Sequence, residues 1–179
     1  MNRKLILIAV AIVAIVLVSM TLFQSTPIRT PSEKAVLIVS DLHEKGWKQN
    51  VIYGPAMNYV VSDDSCTSSM EWTNSTGMQA AIVIDLYHFN STEAARVIFG
   101  SILSGFENNT SRNVALIAAG DAAFMLDDMH TILDVDQCQN IYVVKGSYLA
   151  IMQFGWNNSF GWTSSNITQV AQIQAEKMV

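Results

Sequence analysis

The residues of this sequence best placed to hold a ligand are rings set between glycines. Phe154-Gly155-Trp156 is followed six residues later by Phe160-Gly161-Trp162, with Asn157-Asn158-Ser159 between the two. A connector is normally polar because its backbone must meet water. Four large aromatics in such a stretch are therefore either folded back onto a core or held out as a stacking platform for a sugar or another apolar ligand. Phe154, Trp156, Phe160 and Trp162 are the candidate ligand contacts on the second reading. Glycine permits the sharp bends that the first requires.

Other chemistry is thinly supported. The three histidines, His43, His88 and His130, stand in no H-E-x-x-H or H-x-H spacing, so neither a zinc site nor a general base is indicated. Asp121, Asp127, Asp128, Asp134 and Asp136 form an acidic stretch with no Lys or Arg between Arg112 and Lys145. Carboxylates in a loop suit calcium, but Asp134-Val135-Asp136-Gln137 lacks the third ligand and the glycine of an EF-hand, so a solvated acidic edge is the expectation. There is no G-x-S-x-G elbow, P-loop or G-x-G-x-x-G. The expectation is no catalytic residue, no metal and no cofactor.

Cys66 and Cys138 are the two cysteines, 72 positions apart and in no C-x-x-C. In an oxidising exterior a single pair usually closes one disulfide, and this one is expected to do so; two buried thiols are the alternative. N-x-[ST] sequons occur at Asn74, Asn90, Asn108, Asn109, Asn157 and Asn166. They are either glycosylation acceptors, which demands an exterior compartment, or turn-rich polar surface.

These residues need a scaffold. Thr30-Pro31-Ser32-Glu33 reads as a capping box. It opens a helix with Ala35, Ile38, Val39 and Leu42 on one face and Gly46 as its stop. Strands are expected over 47–53, 57–61 and 78–89, with a polar, turn-rich stretch over 62–76 that holds a short strand at Glu71-Trp72. Asn90-Ser91-Thr92-Glu93 caps a helix striped with Ala94, Ala95, Ile98, Ile102, Leu103 and Phe106. Residues 114–118 and 122–126 flank Gly120-Asp121 as one broken strand or a tight pair. Residues 140–144 and 148–154, joined at Lys145-Gly146, give a hairpin. Ser164 or Ser165 caps a last helix. The expected fold is α+β: an antiparallel sheet of about six strands packed with two or three helices, preceded by one transmembrane helix.

Helix after long strand, a Gly-Asp-Ala turn (Gly120-Asp121-Ala122), a Lys-Gly-x-Tyr hairpin (Lys145-Gly146-Ser147-Tyr148) and a closing helix resemble the exterior domains of some actinobacterial surface lipoproteins. The pattern is similar, too, to the sensor domains of certain membrane Ser/Thr kinases. The resemblance covers roughly residues 80–177, in a chain without lipobox or kinase. It implies an α+β domain that binds a ligand or partner, with no catalytic residues to carry over.

Position in the cell follows from the N-terminus. Arg3 and Lys4 precede a 19-residue run that opens on Leu5 and closes on Phe23, in which Ser19 and Thr21 alone are not apolar. At about 1.5 Å per residue the run spans roughly 28 Å, close to a bilayer core. The basic flank favours the cytoplasmic side. The exit, Ser19 to Gln24, is a poor cleavage site, so an uncleaved anchor is favoured over a removed signal peptide. The division is residues 1–23 as basic flank and membrane anchor, 24–29 as tether, and 30–179 as the extracytoplasmic domain. The chain of 179 residues carries 10 basic and 15 acidic side chains, and two of the basic ones stand before the anchor. That acidity excludes a basic nucleic-acid binder. Half the side chains are hydrophobic, which excludes a disordered tail, and one apolar run excludes a multi-span transporter. Three functions follow for the exterior domain: a non-catalytic module that binds or senses a small molecule, glycan or protein; a structural, glycosylated envelope protein; or a small hydrolase, the least supported.

Overall fold

The computed structural model describes residues 29–56, 60–108, 113–127 and 135–179. The run from Leu5 to Phe23 lies outside them, as do Asn109, Asp128, His130, Asp134 and part of the strand expected at 57–61. Among the described residues no helix is long and apolar enough to cross a membrane.

One antiparallel sheet of seven strands organises the domain, with strand order β1-β2-β3-β7-β6-β5-β4. The strands are β1 (Trp47–Gly54), β2 (Asp64–Asn74), β3 (Gly77–His88), β4 (Val114–Leu116), β5 (Ala122–Asp127), β6 (Gln137–Lys145) and β7 (Tyr148–Trp156). Three α-helices accompany them: α1 (Pro31–Ala35), α2 (Thr92–Glu107) and α3 (Ser164–Lys177). The chain makes two meanders, β1 to β3 and β4 to β7. They join where β7 pairs with β3, Ala80 opposite Trp156 and His88 opposite Tyr148.

Side chains on a strand alternate between faces, and both faces are covered. On one, Cys66, Met70, Ala80, Ile82, Ile84, Leu86, Ile141, Val143, Ala150, Met152, Phe154 and Trp156 pack beneath α3 and the α1 segment. On the other, Tyr87, Phe124, Leu126, Val144, Leu149 and Ile151 pack beneath α2 through Ala95 and Phe99. Covering on both sides explains why β7 reads as a nearly unbroken apolar run, Tyr148-Leu149-Ala150-Ile151-Met152. Each large side chain so withdrawn from water contributes about 1.5–3 kcal/mol.

The two motifs behind the resemblance touch. The Asp121 amide donates to the Val144 carbonyl at 2.8 Å, and the Asp121 carboxylate accepts the Gly146 amide at 3.0 Å. Residues 114–116 and 122–127 are the tight pair rather than one broken strand.

Four expectations are corrected. The first helix stops at Ala35. Residues 36–38 run extended, and a 3₁₀ turn follows at Val39–Asp41. The cause is tertiary: the buried Gln174 side chain accepts the Leu37 amide at 2.8 Å and donates to the Ala35 carbonyl at 3.0 Å, and the Gln49 side chain accepts the Val39 amide. These bonds replace the helical ones. Second, residues 64–74 form an eleven-residue strand instead of turns. Cys66, Ser68, Met70 and Trp72 alternate onto one face, where Ser68 is fully buried and its hydroxyl accepts the Gln49 side-chain amide at 3.0 Å. This makes the sheet seven-stranded. Third, the cap of α2 is Ser91, whose hydroxyl accepts the Ala94 amide, in place of Asn90.

The fourth correction is the disulfide. Both cysteines are thiols. Cys66 pairs with Leu86 on β3, whereas Cys138 pairs with Gly155 on β7, which pairs with Ala81 on β3. Three strand spacings of about 4.8 Å and five residues of about 3.3 Å put the two Cα atoms roughly 20 Å apart. A bridge needs less than about 7 Å.

Candidate functional site

The four tryptophans of the chain gather at one end of the sheet. Trp47 opens β1 and lies opposite Trp72 on β2. Trp72 pairs with Ala80, and Ala80 with Trp156 at the end of β7. A 3₁₀ turn, Asn158–Phe160, then brings the chain back, and Gly161 at φ +73° makes the left-handed step that returns Trp162 to the cluster. The Trp162 ring centroid lies 5.3 Å from Trp47, 5.3 Å from Phe160, 5.8 Å from Phe154 and 6.2 Å from Trp156.

The doubled Phe-Gly-Trp motif is therefore one aromatic cluster, mostly turned inward. Phe154 is fully buried and Trp156 is 8% exposed. Phe160 is half-buried between Trp72, at 5.2 Å, and Trp162. Trp162 is half-buried and lines a cleft of about 150 Å³. One wall is the α3 face carrying Asn166, Gln169, Val170 and Ile173; the other is Leu42, His43 and Glu44; Trp47 and Trp162 complete the lining. Trp47 was legible only as a strand start, because its partner in the cleft lies 115 positions later. A signal did exist in Gly46, at φ +103°. A Cβ there would stand 2.4 Å from the Trp72 indole nitrogen, so the chain packs edge-on against that ring just before Trp47.

The helix cap shapes the cleft as well. Thr163, and not Ser164 or Ser165 as expected, caps α3, and Asn166 closes the box: its Oδ1 accepts the Thr163 amide at 3.0 Å and hydroxyl at 2.6 Å. His43, Glu44 and Gln169 are exposed on the rim. The opposite end of the sheet receives the tether. The Arg29 guanidinium sits 4.6 Å above the Tyr53 ring and donates to its hydroxyl. The Ser32 amide donates to Asp64 at 2.8 Å. From His88 at this tether end to Ala80 among the tryptophans is eight residues of β3, about 26 Å.

Electrostatic perturbation is concentrated at the tether end. Burial pushes the Asp64 carboxyl up, but hydrogen bonds from Ser32 and Thr30 and the nearby His88 outweigh it and hold the group below its ordinary value. Burial lifts the Cys66 thiol to about 11, reinforced by Asp64, Glu33 and Asp85 against a Ser32 hydrogen bond. Such a thiol is not a nucleophile at neutral pH. Burial, then Asp64, raises Tyr148 as well. His88 lies against the Tyr148 ring at 4.8 Å. Among the described residues no three His, Cys, Asp or Glu side chains converge as metal ligands would.

The sequons divide by environment. Asn74 is exposed in the β2–β3 turn, where its Oδ1 accepts both the amide and the hydroxyl of Thr76. Asn90 and Asn108 are exposed at either end of α2. Asn157 is half-buried, its side-chain nitrogen donating to the Met78 carbonyl at 2.9 Å. Asn166 lies in the cleft wall.

No protein-family model matches the chain, and no curated protein sequence matches it. Among solved structures, the extracellular domain of PknH from Mycobacterium tuberculosis shares the fold, with a TM-score of 0.53 and 9% sequence identity. The match covers 80% of this chain and 92% of that one. The resemblance read from the Gly-Asp-Ala and Lys-Gly-x-Tyr motifs is thus present at the level of the fold.

Proposed function

We propose that this chain is a non-catalytic binding domain, held outside the cell by the run from Leu5 to Phe23, that takes a ligand or partner in the tryptophan-lined cleft. The observation that carries the reading is the cleft itself. It joins an apolar aromatic lining to a few polar groups on opposed walls, the composition of a small-ligand site. The fold shared with an extracellular domain supports an exterior location.

In this reading the cleft is linked to the tether. Its Leu42–His43–Glu44 wall continues the segment that leaves the tether. That segment is fastened to the sheet and α3 by Asp64 on Ser32, Gln174 on Ala35 and Leu37, Gln49 on Val39 and Lys177 on Asp41. A ligand that draws the two walls together acts on the residues next to the anchor. Arg29 lies at the opposite end of the sheet, so an anchor ahead of it would leave the cleft open to solutes and neighbouring surfaces. Asn74, Asn90 and Asn108 stand clear of the cleft wall and are the sequons best presented for glycan.

Thermal unfolding of the full chain in detergent, across a panel of sugars, amino acids, amines and small aromatic acids, tests this reading. A ligand at 100 times its Kd adds about 2.7 kcal/mol, a rise of roughly 5–10 °C for a domain of this size. Gln169→Trp, which fills the cleft mouth from an exposed position, should abolish the rise. A ligand that stabilises parent and variant equally, or a panel that stabilises neither, contradicts the reading.

A further inference from the structure

We infer that the ligand class suited to this cleft is a single sugar ring, supplied by an external glycan or by an N-linked glycan on Asn166. The inference rests on the cleft being the binding site.

Ring geometry comes first. Trp47 and Trp162 have centroids 5.3 Å apart and planes inclined by 31°. Rings this close pack on each other and leave no gap in which a cation could sit between opposed faces. The cleft therefore presents the half-buried Trp162 ring, backed by Trp47, which is buried at 7% exposure. A pyranose is the small polar molecule that matches such a surface, because its axial C–H bonds make an apolar face and its hydroxyls project around the edge.

The rim matches that edge. Asn166 and Gln169 are three apart on α3 and share a face. Glu44 and His43 stand on the other wall. Two amides, a carboxylate and an imidazole supply donors and acceptors together, as hydroxyls require. Among the described residues no Lys or Arg lines the cleft, and Glu44 opposes a phosphate or sulfate. Size sets the limit: about 150 Å³ is the volume that holds one six-membered ring.

Asn166 suggests the second source. It begins the sequon Asn166-Ile167-Thr168. Its Oδ1 is taken by Thr163, and the other polar atom, Nδ2, is the one through which a glycan is joined. In that transfer the Nδ2–C1 bond forms as the C1–O bond to a lipid diphosphate donor breaks, and the amide proton leaves with the diphosphate. The first sugar then starts at the cleft wall.

The four indole N–H signals of ¹⁵N-tryptophan-labelled full chain, assigned by single Trp→Phe variants, read this directly. Protein from a host without N-glycosylation is titrated with glucose, mannose, N-acetylglucosamine and their trisaccharides. The Trp162 signal should move saturably while Trp72 and Trp156 stay. Glu44→Gln and Gln169→Ala should each weaken binding about 2- to 10-fold, the loss of one hydrogen bond. Protein from an N-glycosylating host separates the sources. If Asn166 carries the sugar, mass mapping finds it there, the Trp162 signal already sits displaced, and Asn166→Gln, which keeps the capping box, returns it. If no sugar moves Trp162 in either protein but choline, indole-3-acetate or an amino acid does, the sugar assignment is overturned and the cleft remains a binding site. If nothing moves it, both fall.

Discussion

Trp156→Ala separates a ring that builds the core from one that meets a ligand. Trp156 is 8% exposed, lies opposite Ala80 on β3 and has its centroid 6.2 Å from Trp162. Truncating a buried tryptophan removes its transfer free energy and leaves a cavity, a loss of about 3–5 kcal/mol. At roughly 2–4 °C per kcal/mol for a domain of this size, the melting temperature should fall by about 6–20 °C. Trp162→Ala, at a half-buried position, should fall by less and should lose the stabilisation given by any cleft ligand. The assay is thermal unfolding of both variants beside the parent, followed by near-ultraviolet circular dichroism. An unchanged melting temperature in Trp156→Ala would refute the reasoning, since a ring this enclosed cannot be removed without cost.

Three further outcomes follow. Non-reducing mass mapping should find no peptide joining Cys66 to Cys138, and in the native protein Cys66, buried with its thiol lifted to about 11, should resist alkylation at pH 7 until the chain unfolds. Because Asp64 is held below its ordinary value, its contribution is fully present above the unfolded carboxylate pKa near 3.8 and is lost as pH falls through the lower folded value; Asp64→Asn should flatten the acid limb of melting temperature against pH. Gln174→Leu strands the Leu37 amide and the Ala35 carbonyl in a buried site, at about 1–3 kcal/mol for each, and hydrogen exchange at Leu37 should quicken well beyond the rest of the core.

Much of this fold was readable where local chemistry and tertiary demand agree. The 140–154 hairpin, the 78–89 strand and the striped helix after Asn90 appear with boundaries displaced by a few residues at most. Failures came where a distant side chain intervened. A helical stripe at Ala35, Ile38, Val39 and Leu42 was real as a pattern, yet Gln174, more than 130 positions away, bonds Ala35 and Leu37 where the chain leaves the helix and runs extended over 36–38. Ser and Thr in 64–74 read as turn residues because nothing local shows that Ser68 is buried and bonded by Gln49 from β1. The disulfide was inferred from compartment and number, neither of which carries register. At the candidate site the aromatic motif was visible but its orientation was not. Burial of Phe154 and Trp156, and the pairing of Trp162 with Trp47, depend on how β1, β7 and α3 meet.

The most direct test of the account is a crystal structure of the protein soaked with whichever member of the panel raises its melting temperature most. The account predicts density against Trp162 and Trp47, between Glu44 and Gln169, with the pocket at Ala118, Gly120 and Gln172 near the tether end left empty. Density in that second pocket, or anywhere else with the tryptophan cleft vacant, would contradict it.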